Sequence, residues 1–132
     1  MSPGLLTRII LRTPSSHFFP VTNFYHKTFS LPIVNATEVT ANIQASENVT
    51  LTVTTEDYTQ TEGDGGEGED GFLLQFDVKD IQASLMIAME NGGEMDGPIK
   101  HPAHGKVVVV KDPTGRKVGI WEKVGGFGDV TG

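Results

Sequence analysis

The stretch VKDPTGRKVGIWE, residues 110–122, decides how the rest of the chain is read. DPTG, residues 112–115, carries the residues of a type I turn: Pro113 at the second position, where its fixed φ suits the bend, and Gly115 at the fourth. On either side stand GKVVVVKD and KVGIWEKV, rich in the β-branched and aromatic residues that strands favour. A strand, a tight turn and a second strand are therefore expected, and the second strand ends on a single acidic residue, Glu122. A lone carboxylate at the end of an apolar strand needs a partner.

Upstream, DIQASLMIAMENGG predicts a helix, with Asp80 suited to the N-cap, Gly92 to the position just past the end, and Ile81, Leu85, Ala88 and Met89 as its apolar stripe. GFLLQFDV, residues 71–78, predicts a strand before it, and residues 94–100 a weaker one after it. The second half of the chain thus reads β-α-β-β-β. The first half repeats that order: a strand over 5–13, a helix over about 21–29 with Phe24, Tyr25 and Phe29 on one face, short strands over 33–38 and 40–45, and a strand over 48–56. In this last segment Val49, Leu51 and Val53 alternate with Thr50, Thr52 and Thr54, the period of two that marks a strand with one buried face.

Between the halves DYTQTEGDGGEGEDG, residues 57–71, is glycine-rich, acidic and without apolar periodicity, and reads as a linker. Its acids lack the order and the terminal Glu of a calcium loop. The organisation expected is one domain of two modules, about 5–57 and 72–124, joined by a linker over 58–71 and followed by a loose tail over 125–132. Each module is too small to bury its own sheet face alone.

Composition narrows the function classes. The 132 residues include 37% hydrophobic ones and carry a formal net charge of −7. This balance argues against nucleic acid, whose phosphates need clustered Lys and Arg, and against anionic membrane surfaces. The chain has no Cys, which excludes disulfides, thiolate metal sites and Cys nucleophiles and agrees with a cytoplasmic location. No run approaches a membrane span. LLTRIILRT near the start, with two arginines and no small-residue cleavage site, is a poor signal peptide. Without export, the N-x-T sequons at Asn35 and Asn48 are read as chance matches. No nucleophile elbow is present.

The element order, with FYHKTFSLPIV early and VKDPTGRKVGIWE late, resembles the vicinal oxygen chelate superfamily: glyoxalase I, bleomycin-resistance proteins, fosfomycin-resistance enzymes and extradiol dioxygenases. The resemblance spans about residues 5–124. It implies an α+β fold of two βαβββ modules whose curved mixed sheets enclose a cavity, often completed across a homodimer. It also implies four strand positions for the ligands of a divalent metal. Carried onto this chain they fall on Arg8, Thr50, Leu73 and Glu122, of which only Glu122 is a plausible ligand. A site for Zn, Ni or Mn needs about three protein ligands, so no metal and no other cofactor is expected. HPAH keeps the alternative open: His101 and His104 stand three apart, although Pro102 argues against the helix on which such a pair would share a face. The bland reading is two solvent-exposed loop histidines.

If these four positions face a cavity, strand alternation brings others with them: Ile10 and Arg12 with Arg8, Thr52 and Thr54 with Thr50, Gln75 and Asp77 with Leu73, Val118 and Ile120 with Glu122. The expected ligand-binding set is Arg8, Arg12, Thr50, Thr52, Leu73, Gln75, Asp77 and Glu122, with Glu122 also the candidate catalytic residue. Two readings stay open for Arg8 and Glu122: an ion pair that takes the place of the metal, or two side chains that reach solvent at the sheet edge. Arg12 is either an anchor for an anionic or carbonyl-bearing ligand, as the Arg similarly placed in family glyoxalases implies, or a surface Arg lying over apolar residues. Phe18, Phe19 and Phe24 are either a dimer contact or core. The function expected is a glyoxalase-like, metal-independent small-molecule binding protein. The alternatives are a divalent-metal lyase or isomerase with rearranged ligands, and a catalytically silent structural subunit of a complex.

Overall fold

The computed structural model describes residues 3–59 and 72–123, so most of the expected linker and all of the expected tail lie outside the described residues. The chain divides into two compact units between Gln60 and Thr61. Each is an α+β βαβββ module.

The first unit contains β1 (Arg8–Arg12), α1 (Phe18–Thr28), β2 (Ile33–Ala36), β3 (Thr40–Gln44) and β4 (Thr50–Thr54). Its sheet runs β1-β4-β3-β2, with β1 parallel to β4 and the other pairs antiparallel. Alternation puts Leu11, Ala41, Ile43, Leu51 and Val53 on one face, where they are buried with Val21, Phe24 and Tyr25 of α1. Each of the larger of these side chains removed from water contributes about 1.5–3 kcal/mol before chain entropy is subtracted. The opposite face is polar.

The helix α1 begins at Phe18, after a 3₁₀ turn over Ser15–His17, and so runs through Pro20 rather than starting after it. A proline in the first turn costs no hydrogen bond, because the N–H it lacks has no helical partner there. The extra turn takes Phe18 (6% exposed) into the core, where Phe24 (0%) also lies. Of the three phenylalanines considered for a dimer contact, only Phe19, 74% exposed, faces solvent.

The second unit contains β5 (Leu74–Asp77), α2 (Ile81–Glu90), β6 (Glu94–Met95), β7 (Gly105–Lys111) and β8 (Lys117–Lys123). The sheet order β5-β8-β7-β6 repeats that of the first unit, again with the first strand parallel to the last. Asp80 caps α2 by accepting from the N–H groups of Gln82 and Ala83, each at 3.1 Å. Gly92 follows the helix at φ +92°, the left-handed conformation that a C′ residue adopts. The β7–β8 hairpin turns through Pro113, Thr114 and Gly115, with Gly115 at φ +93° and its N–H donating to the Asp112 carbonyl at 2.8 Å. This is the three-residue loop of a type I turn closed by a left-handed residue. Asp112, 3% exposed, holds it from within: Oδ1 accepts from Thr114 N at 2.8 Å, Thr114 Oγ1 at 2.6 Å and Arg116 N at 3.1 Å, and Oδ2 pairs with the Arg116 guanidinium at 3.3 Å.

Candidate functional site

A groove of about 240 Å³ lies on the polar face of the first sheet, opposite α1. Its lining comes from three strands and the residues that follow β4: Arg8, Ile10 and Arg12 of β1; Thr52 and Thr54 of β4; Thr40 and Asn42 of β3; then Glu56 and Asp57. The strand register places them side by side. Ile10 stands beside Thr52 and Arg12 beside Thr54 across the parallel pair, while Asn42 faces Thr52 and Thr40 faces Thr54 across the antiparallel one.

The floor is a fixed chain of hydrogen bonds. The Thr52 hydroxyl donates to Asn42 Oδ1 at 2.6 Å, and Asn42 Nδ2 donates to Asn35 Oδ1 at 2.8 Å. Thr40 and Thr54 share a hydroxyl–hydroxyl bond of 2.9 Å, and Thr54 Oγ1 accepts from Glu56 N at 3.1 Å. Thr52 and Thr54 are each 6% exposed, so their partners matter: a buried hydroxyl without one is costly. Above the floor the side chains of Arg8, Ile10, Arg12, Glu56 and Asp57 are solvent-exposed.

Of the residues expected from sequence, Arg8, Arg12 and Thr52 meet in this groove, with Ile10 and Thr54. Thr50 pairs with Arg8 on the same face but is not part of the lining. Asn42 and Thr40 were not singled out, although Thr-Ala-Asn-Ile-Gln, residues 40–44, shows the polar–apolar alternation that puts them here. Glu56 and Asp57 carry no such signal. They enter because the chain bends straight after β4, with Asp57 at φ +60°, a left-handed conformation that Asp tolerates better than most residues.

The second sheet corrects one expectation. A Cβ added at Gly119 would lie 3.4 Å from Leu73 Cδ2 and 3.5 Å from Gln75 Cγ, so Leu73, Gln75 and Asp77 share a face with Gly119 and Trp121. Glu122 lies on the other face with Val118 and Ile120, both 0% exposed. There its Oε1 accepts from the N–H of Ile81, the first residue of α2, at 2.7 Å. The first N–H groups of a helix have no internal partner and carry the positive end of its dipole. Glu122 and Asp80 together satisfy those of Ile81, Gln82 and Ala83. The lone carboxylate at the end of β8 thus has a partner within its own module, the N–H at the start of α2.

At the four positions expected to carry metal ligands, the donor set is a guanidinium, a hydroxyl, an alkyl chain 47% exposed (Leu73), and a carboxylate engaged by the helix. His101 and His104 are exposed in the approach to β7. Among the described residues no group of three His, Asp or Glu side chains converges. Also among the described residues, no helix is long and apolar enough to cross a membrane.

Neither a protein-family model nor a curated protein matches the sequence. Solved structures do match the fold. A glyoxalase-related enzyme from Fulvimarina pelagi aligns with a TM-score of 0.71 at 18% identity, over 90% of this chain and 88% of that one. A glyoxalase/bleomycin resistance protein/dioxygenase family enzyme from Burkholderia phytofirmans PsJN aligns at 0.67 and 16%, over 89% and 97%. TnmS3, an antibiotic binding protein from Streptomyces sp. CB03234, aligns at 0.64 and 18%, over 93% and 98%. With two βαβββ modules and alignments along nearly the full chain, the protein has the fold of the glyoxalase/bleomycin-resistance proteins it aligns with.

Proposed function

We propose that this chain is a metal-independent small-molecule binding protein that takes its ligand in the groove of the first sheet. The observation that carries the proposal is the convergence of two arginines, one exposed isoleucine and a hydrogen-bonded Thr/Asn floor in one concave site. An apolar contact with a few placed polar groups is the usual make-up of such sites. The volume of about 240 Å³ is below that of drug-sized pockets, about 300–1,000 Å³, and suits a small ligand or one end of a larger one. Fold neighbours described as glyoxalase-related and antibiotic-binding agree with a small-molecule role. Metal independence rests on the donor set. We assign ligand contact to Arg8, Arg12 and Thr52, and keep Leu73, Gln75 and Asp77 as a second candidate face. Glu122 is proposed as a positioning residue of α2. The cysteine-free composition supports a cytoplasmic location, and Phe19, 74% exposed, is a feature that favours a homodimer.

The test is a fragment screen followed by ¹⁵N NMR on the full chain, with calorimetry against Zn²⁺, Ni²⁺ and Mn²⁺ alongside. Bound fragments should move the amides of Arg8, Ile10, Arg12, Asn42 and Thr52. Fragments that bind only elsewhere, or a stoichiometric metal site of micromolar affinity, would overturn the proposal.

A further inference from the structure

The charges around the groove are not mixed at random. Along β1, Arg8 and Arg12 stand four positions apart, about 13 Å at the strand rise. Because β4 runs parallel to β1, the residues that follow β4 reach the Arg12 end, and these are Glu56 and Asp57. Among the described residues that line the groove, the Arg8 end therefore holds one cation. Among the same described residues, the Arg12 end holds one cation and two carboxylates, a net negative end. Ile10, 46% exposed, lies between them.

Hydrogen-bond polarity follows the same axis. A guanidinium only donates, so the Arg8 end asks for an acceptor. The Thr52 hydroxyl spends its proton on Asn42, and toward the groove it has lone pairs alone to offer. With the carboxylates of Glu56 and Asp57, the Arg12 end is rich in acceptors.

Resting on the reading of this groove as the ligand site, we propose that it selects zwitterionic ligands: an anionic group, best a carboxylate, at Arg8, a protonated amine at Glu56 and Asp57, and a short apolar spacer over Ile10. A carboxylate matches the planar fork of Arg8. An amine matches acceptors that a second anion would meet with repulsion.

Three probes with one spacer separate the contributions: aminooctanoate, octanoate and octylamine, each titrated into ¹⁵N-labelled full-length protein at low salt. Aminooctanoate should bind more tightly than either singly charged probe, by up to about five-fold for each exposed charge contact. Arg8→Gln should weaken octanoate and leave octylamine unchanged. Asp57→Asn with Glu56→Gln should do the reverse, and Asn keeps the left-handed backbone at position 57 at little cost. Loss of octylamine binding in Arg8→Gln, or aminooctanoate binding no tighter than octanoate, overturns the zwitterion proposal while leaving the groove as a ligand site. No movement of any groove amide with any probe overturns both.

Discussion

Replacing Glu122 distinguishes a helix-end partner from a site carboxylate by the sign of the stability change. In Glu122→Ala the N–H of Ile81 loses the acceptor at 2.7 Å, and Ile81 is 0% exposed, so water cannot easily replace it. An unsatisfied buried donor costs about 1–3 kcal/mol, and loss of the charge at the helix N-terminus adds about 0.3–1 kcal/mol. The expected loss is about 2–3 kcal/mol, a large part of the roughly 5–15 kcal/mol available to a small domain. Glu122→Gln keeps an acceptor oxygen and loses only the charge, so it should cost less than half as much. Urea unfolding followed by tryptophan fluorescence is a suitable assay, because the single Trp, Trp121, is the neighbouring residue. The slope m should stay constant and the midpoint should fall. Asp80→Ala removes acceptors from the next two N–H groups, and its cost should not add simply to that of Glu122→Ala, since both serve one helix end. A functional carboxylate held at a cost to stability would behave in the opposite way: its removal would leave stability unchanged or raise it. Either outcome in Glu122→Ala refutes the helix-end assignment.

Three further predictions concern the second unit and the groove floor. Gly105→Ala should destabilise by about 1–3 kcal/mol through overpacking, because its Cβ would lie 2.6 Å from Trp121 Cζ2 and 2.7 Å from the Glu122 carbonyl oxygen; Gly119→Ala, with its nearest atom at 3.4 Å, should cost much less, and thermal melts of the two variants compare them directly. Asp112→Ala should cost about 3 kcal/mol, since it leaves two backbone N–H groups and a guanidinium at the hairpin without their buried acceptor, and denaturant titration measures it. Thr52→Val should lower stability by about 1–2 kcal/mol by stranding Asn42 Oδ1 and should also weaken fragment binding in the groove, read from NMR titration.

Local features were legible in the sequence, and the choice of sheet face was not. The DPTG turn, the Asp80 cap and Gly92 each depend on a few adjacent residues with fixed backbone demands, and all three stand where they were expected. Strand alternation correctly grouped Arg8 with Ile10 and Arg12, and Val118 with Ile120 and Glu122. It could not say which group faces the helix, because period two fixes relative sides only. In β8 the ambiguity was deepest: Gly119 on the open face has no side chain to declare itself, so the acid at the end of the strand looked like the functional one. The groove's acidic end was invisible for a different reason. Glu56 and Asp57 are brought there by a bend after β4, and nothing in an acidic, glycine-rich stretch sets where its first two acids point.

The parallel pairing of first and last strands has a consequence for how the chain is made. In each unit the opening strand can find its place only after the closing strand exists: Arg8 waits for Thr50, and Leu74 for Val118. During synthesis β1 leaves the ribosome first and joins its sheet last. Until then Leu11, 2% exposed once β1 has docked, and the backbone edge that pairs with β4 are open to association with other chains. Pairings that close a whole module are slow to form, so β1 and β5, the strands that carry the first candidate ligand contacts of each sheet, are expected to dock late in folding.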